Sequence, residues 1–294
     1  MVPAFDGQSH SSRSDGSLEP AEVVARAAAA GVEVLALTDH DTVEGVAEAL
    51  AGGRREGVRV VPAVELTAVD GAHDELHVVG YGIDHEAPGL IDALVDLRAD
   101  RERRVLAMAD RLEELGLALA REELDERRRA GRPLGRPHLA RAVLGHPRNW
   151  PRLQAEGVEG TGGLFPAYLV PGAPGYVARE RPTVADAVAL VHDHGGVAVW
   201  AHPFWDLADP ADVQITLRRF AAAGMDGVEA FYPAHDRAQT HLLDDLAGGL
   251  DLLATAASDF HGPEHEHFSR FLAYETFGRQ PRLGDLGQLA GPPS

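Results

Sequence analysis

The 294-residue sequence lacks cysteine and is short of basic residues. Without cysteine there are no disulfides and no thiolate ligands, so any metal ion must bind to nitrogen and oxygen atoms. Lysine and arginine number 27 against 46 acidic residues, for a formal net charge of -19. Such a balance repels long nucleic acid, whose binding depends mainly on neutralised phosphates. A small phosphorylated substrate held by metal ions remains compatible with it.

Long apolar segments are also missing. No run approaches the roughly 20 residues that a membrane span requires, and residues 1–6 have neither the basic region nor the apolar core of a secretory signal. We therefore expect a soluble, cytoplasmic protein that does not act at a membrane. Hydrophobic residues make up 45% of the chain, enough for one large domain or for one domain with an inserted second one.

Short apolar runs recur along the chain, and each contains or leads into acidic or histidine residues. The runs are rich in valine, leucine and alanine and do not alternate with polar residues, which is typical of parallel strands buried on both faces. Helical patterns separate most of them. The predicted strands are 2–5, 32–37, 58–64, 76–81, 197–200, 228–231 and 250–255, and the predicted helices between them are 20–30, 42–51, 183–194 and 210–223.

Alternating strands and helices with functional groups at the strand ends are typical of (β/α) barrels. The middle of the chain differs, because apolar residues from Leu90 to Leu115 follow helical spacing. Residues 121–145 are predicted as a basic helical stretch, and 146–182 as loop. We predict an α/β barrel with a helical insertion. Its parts are the first barrel segment 1–87, the insertion 88–182, the second barrel segment 183–277 and a C-terminal tail 278–294.

Histidine and carboxylate residues stand at these strand ends. A single histidine in such a run is more often structural than a ligand. The recurrence of histidine indicates a metal site, because other polar residues would end a strand equally well. A cluster of this size is expected to hold more than one Mn, Fe or Zn ion. The candidate ligands are His10, Asp15, His40, Glu65, His77, His202, Asp259 and His261.

Paired metal ions can bind a hydroxide between them and clamp a phosphate ester for in-line attack. They lower the pKa of the bound water, which supplies a nucleophile at neutral pH without serine or cysteine. Asp39, beside His40, is either an outer partner that orients an imidazole or the cap of the helix predicted from Thr42. The sequence leaves both roles open.

Several short motifs contain these residues: Ser14-Asp15-Gly16, Leu37-Thr38-Asp39-His40-Asp41-Thr42, Glu65, Leu76-His77-Val78, Ala201-His202-Pro203 and Ser258-Asp259-Phe260-His261-Gly262. In order and spacing they resemble the PHP (polymerase and histidinol phosphatase) family along almost the whole chain. The resemblance is strongest to bacterial members that hydrolyse nucleoside 3′,5′-bisphosphates and trim short RNA from the 5′ end. It implies a distorted (β/α)7 barrel with an inserted helical lid.

The resemblance also implies two or three divalent metal ions and assigns their ligands, which, apart from His77, would also be the catalytic residues. The three implied ligand sets are His10, Glu65 and Asp259 for the first ion; Glu65, His77 and His202 for the second; and Asp15, His40 and His261 for the third.

One position departs from the family pattern. The family usually opens with His-x-His, whereas this chain has Gln8-Ser9-His10. An amide oxygen is a weaker ligand than imidazole for these metals, so we expect Gln8 to make the first ion the most weakly bound, or to favour a harder ion such as Mn²⁺. The alternative is that Gln8 coordinates through its oxygen without measurable effect.

Phosphate recognition favours arginine, whose planar fork matches phosphate oxygens. Most arginines of the insertion are expected to be solvated. Arg136 and His138 are the strongest candidates for substrate binding, because neighbouring glycine and proline residues restrict their backbone and because they resemble the family's lid. Tyr232, His235 and Gln239 follow a predicted strand and could contact a base or sugar.

Three functions stay open at this level. The leading one is a metal-dependent phosphoesterase acting on a small nucleotide or short oligonucleotide. The second is a phosphatase of a non-nucleotide metabolite, of the histidinol phosphate type. The third is a degenerate barrel without catalysis, supported only by Gln8. A decaying site should lose several ligands, and the other eight positions are intact, so we expect an enzyme.

Overall fold

Seven strands form one sheet in sequence order: β1 (Phe5–Asp6), β2 (Val34–Leu37), β3 (Arg59–Asp70), β4 (His73–Tyr81), β5 (Val197–Trp200), β6 (Gly227–Phe231) and β7 (Leu253–Ala256). The computed structural model describes residues 4–71, 73–129, 134–179 and 181–287. Neighbouring strands are parallel except β4, which runs antiparallel to both β3 and β5. The prediction of parallel strands is therefore wrong for β4. Only two residues separate β3 from β4, and a parallel crossover needs a dozen or more.

The residues that follow β1 and β7 bring the two ends of the sheet together. The Gly7 amide donates a hydrogen bond to the Ala256 carbonyl at 2.9 Å, and the His10 amide donates to the Phe260 carbonyl at 2.8 Å. Glycine is required at position 7, because a Cβ there would lie 2.7 Å from the Tyr81 hydroxyl oxygen. The sheet is thus a nearly closed seven-stranded barrel, and the predicted α/β barrel fold is confirmed.

Eleven helices lie in the described ranges: α1 (Pro20–Ala29), α2 (Val46–Glu56), α3 (Pro88–Glu114), α4 (Arg121–Arg129), α5 (Arg136–Leu144), α6 (Trp150–Ala155), α7 (Gly160–Leu164), α8 (Val184–Asp193), α9 (Pro203–Asp206), α10 (Pro210–Ala222) and α11 (Arg237–Gly249). In the part of the chain that the structure describes, no helix has the length and apolarity of a membrane span.

Three of the four predicted barrel helices, α1, α8 and α10, begin and end close to the predicted positions, whereas α9 and α11 were not predicted. Pro20 occupies the first turn of α1, and the Thr183 hydroxyl accepts the Asp186 amide at the start of α8. Helix α2 begins at Val46, four residues after the predicted start at Thr42. The Thr42 hydroxyl instead accepts the Glu44 amide at 3.2 Å. This local side-chain hydrogen bond holds a turn and competes with helix formation.

The chain divides into two compact units, which we call the barrel unit (residues 1–94 and 181–294) and the helical unit (residues 95–180). The helical unit has its own apolar core, with Met108, Leu112 and Leu139 fully buried. The basic helical stretch predicted at 121–145 contains two helices, α4 and α5. The prediction of loop for 146–182 is wrong in part. Residues 146–182 contain short helices as well as loop, because their leucines are buried in the same core.

We predict that helix α10 stabilises the barrel through one face only. Phe220 is 2% exposed and packs edge-on against Trp200 at 5.1 Å, whereas Ile215 on the same helix is 65% exposed. Phe220→Ala should lower the free energy of unfolding by about 3–5 kcal/mol, because it leaves a cavity. Ile215→Ala, the matched control, should change it by less than about 0.5 kcal/mol. Urea unfolding followed by circular dichroism measures both, and equal losses would contradict this packing.

Candidate metal centre

The barrel brings all eight predicted ligands to one region. The carboxyl ends of parallel strands meet at the same edge of a barrel, and there His40 forms a bridge with Glu65 while Ser9, next to His10, pairs with Phe260. The antiparallel strand β4 delivers its ligand from mid-strand. His77 lies opposite Thr67 of β3, and its carbonyl accepts the Ala201 amide just before His202.

One set of three ligand atoms converges around Glu65. Its Oε1 atom lies 2.7 Å from Nδ1 of His77 and 3.3 Å from Nε2 of His202. The two imidazole nitrogens are 3.2 Å apart. Glu65 is fully buried and His202 nearly so. These three residues are the set that the family resemblance implies for the second ion.

The other carboxylate oxygen of Glu65 faces a second set. Its Oε2 atom lies 3.1 Å from Nε2 of His10, and that nitrogen is also 3.1 Å from Oδ1 of Asp259. Among the described atoms, none of these three has a partner in hydrogen-bonding geometry. Glu65 therefore bridges the residues implied for the first and second ions.

The residues implied for the third ion lie against the same imidazoles. Asp15 Oδ1 is 3.5 Å from Nε2 of His261, and Asp15 Oδ2 is 3.6 Å from Nε2 of His40. The His10 ring stacks on His261 with centroids 4.2 Å apart. Atoms of His10, Asp15, His40 and His261 lie within 4.8 Å of one another, as do atoms of His40, Glu65 and His77. The division of ligands among individual ions stays a prediction.

The charges of this cluster fit a divalent metal. Burial alone would lower the pKa of His202, but the hydrogen bond to Glu65 and nearby carboxylates outweigh it and raise that pKa to about 10. Burial would raise the pKa of Glu65, but the surrounding histidines lower it well below its usual value. In the metal-free protein, protons on His10 and His202, whose pKa values are raised, would compensate the carboxylates. A bound cation would take over that role and release protons.

Gln8 is fully buried at the start of this region. Neither its amide oxygen nor its amide nitrogen has a hydrogen-bond partner among the described residues. Buried polar atoms normally have a partner, because an unpaired one costs about 1–3 kcal/mol. The amide therefore has a free acceptor to offer an ion.

An outer layer of hydrogen bonds orients the ligands. Asp39 is buried and accepts the Ser11 amide at 2.7 Å and the Ser14 hydroxyl at 2.6 Å. The Ser14 oxygen lies 3.5 Å from Nδ1 of His10. Of the two roles left open for Asp39, these contacts support the outer partner of an imidazole. That imidazole belongs to His10, not to the neighbouring His40.

Two predicted ligands have left-handed backbone conformations, which side chains rarely adopt without support. His202 has φ 27° and Asp259 has φ 55°. Glu229 accepts the His202 amide at 2.9 Å, and the Tyr232 hydroxyl donates to Asp259 at 2.8 Å. Burial raises the pKa of Glu229 to about 8. No role was predicted for Glu229, although a carboxylate inside a buried strand was a usable signal.

The predicted substrate residues belong to both units of the chain. In the helical unit, Arg136 donates to the Leu169 carbonyl at 3.1 Å, and His138 accepts the Gly135 amide at 3.0 Å. In the barrel unit, His235 is buried, which lowers its pKa to about 4. Substrate contact by Arg136, His138 and His235 stays a prediction.

The other two residues after β6 have structural roles. Tyr232 is only 2% exposed, and its hydroxyl is bonded to Asp259. Gln239 forms a capping box with Asp236 at the start of α11. Contact of these two side chains with a base or sugar stays a prediction.

Comparison with known proteins gives consistent matches. The sequence model of the PHP domain matches residues 6–125. The chain is 35% identical to a 3′,5′-nucleoside bisphosphate phosphatase of Chromobacterium violaceum over 86% of both chains. It is 32% identical to a 5′-3′ exoribonuclease of Haemophilus influenzae, over 90% of this chain and 92% of that relative.

A solved structure shows the same fold. A protein of Bifidobacterium adolescentis described as a metal-dependent phosphoesterase superimposes with a TM-score of 0.73 at 27% identity, over 91% of each chain. The barrel, the clustered histidines and carboxylates, and the extent of these matches lead to one conclusion: the chain belongs to the PHP domain family.

Proposed function

We propose that this protein is a metal-dependent phosphoesterase that hydrolyses phosphate esters of small nucleotides, such as nucleoside 3′,5′-bisphosphates, or of short oligonucleotides. The observation that carries the proposal is the Glu65 carboxylate, whose two oxygens each face a separate set of ligand atoms. The names of the relatives, a nucleoside bisphosphate phosphatase and a 5′-3′ exoribonuclease, support the nucleotide class.

We propose that two or three Mn, Fe or Zn ions bind to the sets built on Glu65 and on Asp15. The chemistry that such ions supply is charge neutralisation on phosphate oxygens and acidification of a water molecule. The protein's part is to hold the ligands in place. Ser14 and Asp39 orient the His10 ring, Glu229 holds the His202 backbone, and Tyr232 holds Asp259. Fixed ligands keep a reactive geometry that would otherwise cost free energy to assemble.

The proposed catalysis uses the whole cluster of intact ligands, which argues against a degenerate barrel. A non-nucleotide substrate would use the same metal centre. The two substrate classes differ in the nucleobase, so a comparison of esters with and without a base distinguishes them. The cytoplasmic location stays a prediction.

We predict that phosphate release from adenosine 3′,5′-bisphosphate requires metal. Chelation should abolish it and Mn²⁺ should restore it. His202→Ala should lower kcat by several orders of magnitude, because it removes a ligand that shares Glu65. The matched control is His85→Ala, in the turn before α3, which should keep wild-type kcat. Full activity after verified metal removal, or a loss below about tenfold in His202→Ala (about 1.4 kcal/mol), would contradict the proposal.

We predict that Gln8 weakens one metal site without abolishing it. Gln8→His should bind one ion about tenfold more tightly or better, because imidazole is a stronger ligand than an amide. Gln8→Met, of similar size without polar atoms, should bind that ion more weakly than the wild type. Metal content per chain after dialysis against limiting Mn²⁺ measures both. Equal and full occupancy in all three proteins would show that Gln8 does not influence the site.

We predict that Arg136 serves the substrate and not the metal. Arg136→Ala should lower kcat/KM roughly ten- to hundredfold, because a charged hydrogen bond to phosphate contributes about 1.5–3 kcal/mol. Metal content should be unchanged. Arg103→Ala, which removes an exposed arginine of the same unit, is the control and should retain wild-type kcat/KM. A fall in metal content for Arg136→Ala would mean that the helical unit supports the barrel and does not contact substrate.

A further inference from the structure

An exposed indole stands next to the metal centre. Trp205 lies three residues after His202, in the short helix α9, and 57% of its surface is exposed. Its backbone is held beside this ligand, because the Trp205 amide donates to the His202 carbonyl at 2.8 Å. A single exposed aromatic residue has no significance by itself. The residues around Trp205, however, indicate a function for it.

Aromatic contacts connect Trp205 to the predicted ligands. Its ring centroid lies 5.7 Å from that of Phe268, which is itself buried. The Phe268 ring in turn lies 5.8 Å from the ring of His261 and 5.7 Å from that of Tyr232, the residue bonded to Asp259. Trp205 is thus two ring contacts away from a predicted ligand, with one side packed on Phe268 and much of its surface open.

This arrangement has the properties of a base-stacking surface. Aromatic side chains bind bases of any type, because every base has a π face. Stacking also needs no positive charge, which suits a chain of net charge -19. The metal centre would bind the phosphate of a nucleotide, and the uncharged ring beside it would bind the base.

We infer that Trp205, supported from behind by Phe268, is a stacking platform for the nucleobase of the substrate. The inference rests on the proposed phosphoesterase activity and narrows its substrate class to esters that carry a base, in preference to sugar phosphates and other metabolites. Phe268 is a positioning residue, since it acts through the Trp205 ring.

Two substrates that differ only in the base test this role. Adenosine 3′,5′-bisphosphate carries the base, and 1-deoxyribose 3,5-bisphosphate lacks it. For Trp205→Ala, kcat/KM on the nucleotide should fall about five- to hundredfold, whereas kcat/KM on the base-free ester should stay at the wild-type value. Trp205→Phe, which keeps a ring, should retain most of the nucleotide activity. Equal losses on both substrates, or no loss on the nucleotide, would overturn the inference.

Fluorescence provides a readout that does not require turnover. The chain has three tryptophans, and Trp150→Phe leaves Trp205 and the buried Trp200 as emitters. In this background, with metal removed, adenosine 3′,5′-bisphosphate should quench the emission saturably, and the base-free ester should not. Adding Trp205→Phe should abolish the quenching. Quenching that persists without Trp205 would refute the platform, whereas quenching without any hydrolysis in the metal-loaded enzyme would refute only the proposed catalysis.

Discussion

The architecture of the site depends on one buried carboxylate. Glu65 is fully excluded from solvent, and an unpaired charge there would cost several kcal/mol. Its oxygens are instead surrounded by imidazoles from three other strands or strand ends: His10, His77 and His202. These contacts can form only if β3 lies within the sheet and the strand ends around it meet at one edge. The barrel is thus needed to bring the imidazoles to Glu65, and the imidazoles are needed to compensate the buried charge of Glu65.

A second layer of residues holds the ligand side chains and their backbone in position, and it also contains buried carboxylates. Asp39 acts through Ser14 on His10, and Glu229 acts directly on the His202 backbone. Burial raises the pKa of both carboxyl groups. With its pKa raised to about 8, Glu229 adds a hydrogen bond without a full negative charge near Glu65 at neutral pH. This limits the repulsion that a cluster with many acidic residues would otherwise suffer.

The sequence predicted most of the strands and the histidines and carboxylates that cluster at their ends, because buried strands and the residues that follow them leave a local signal. Glu65 and His202 could be singled out in this way. It did not predict the direction of β4, because the predicted strands 58–64 and 76–81 left an eleven-residue connection, whereas β3 extends to Asp70 and β4 begins at His73. The role of Glu229 was missed for a different reason. Its position inside a buried strand was a usable signal, but its partner is the His202 amide just after β5, and no local pattern reveals that tertiary contact.

The buried amide of Gln8 destabilises the metal-free protein, because neither its oxygen nor its nitrogen has a hydrogen-bond partner among the described residues. An apolar side chain of the same size would fill the space without leaving two unpaired amide atoms, each of which costs about 1–3 kcal/mol. The amide is therefore a poor choice for packing alone. As a neutral oxygen donor it would complete the surroundings of an ion between His10, Glu65 and Asp259, where two carboxylates already compensate much of a divalent charge. A neutral ligand then suffices, and it leaves the cation with more residual charge to attract a phosphate.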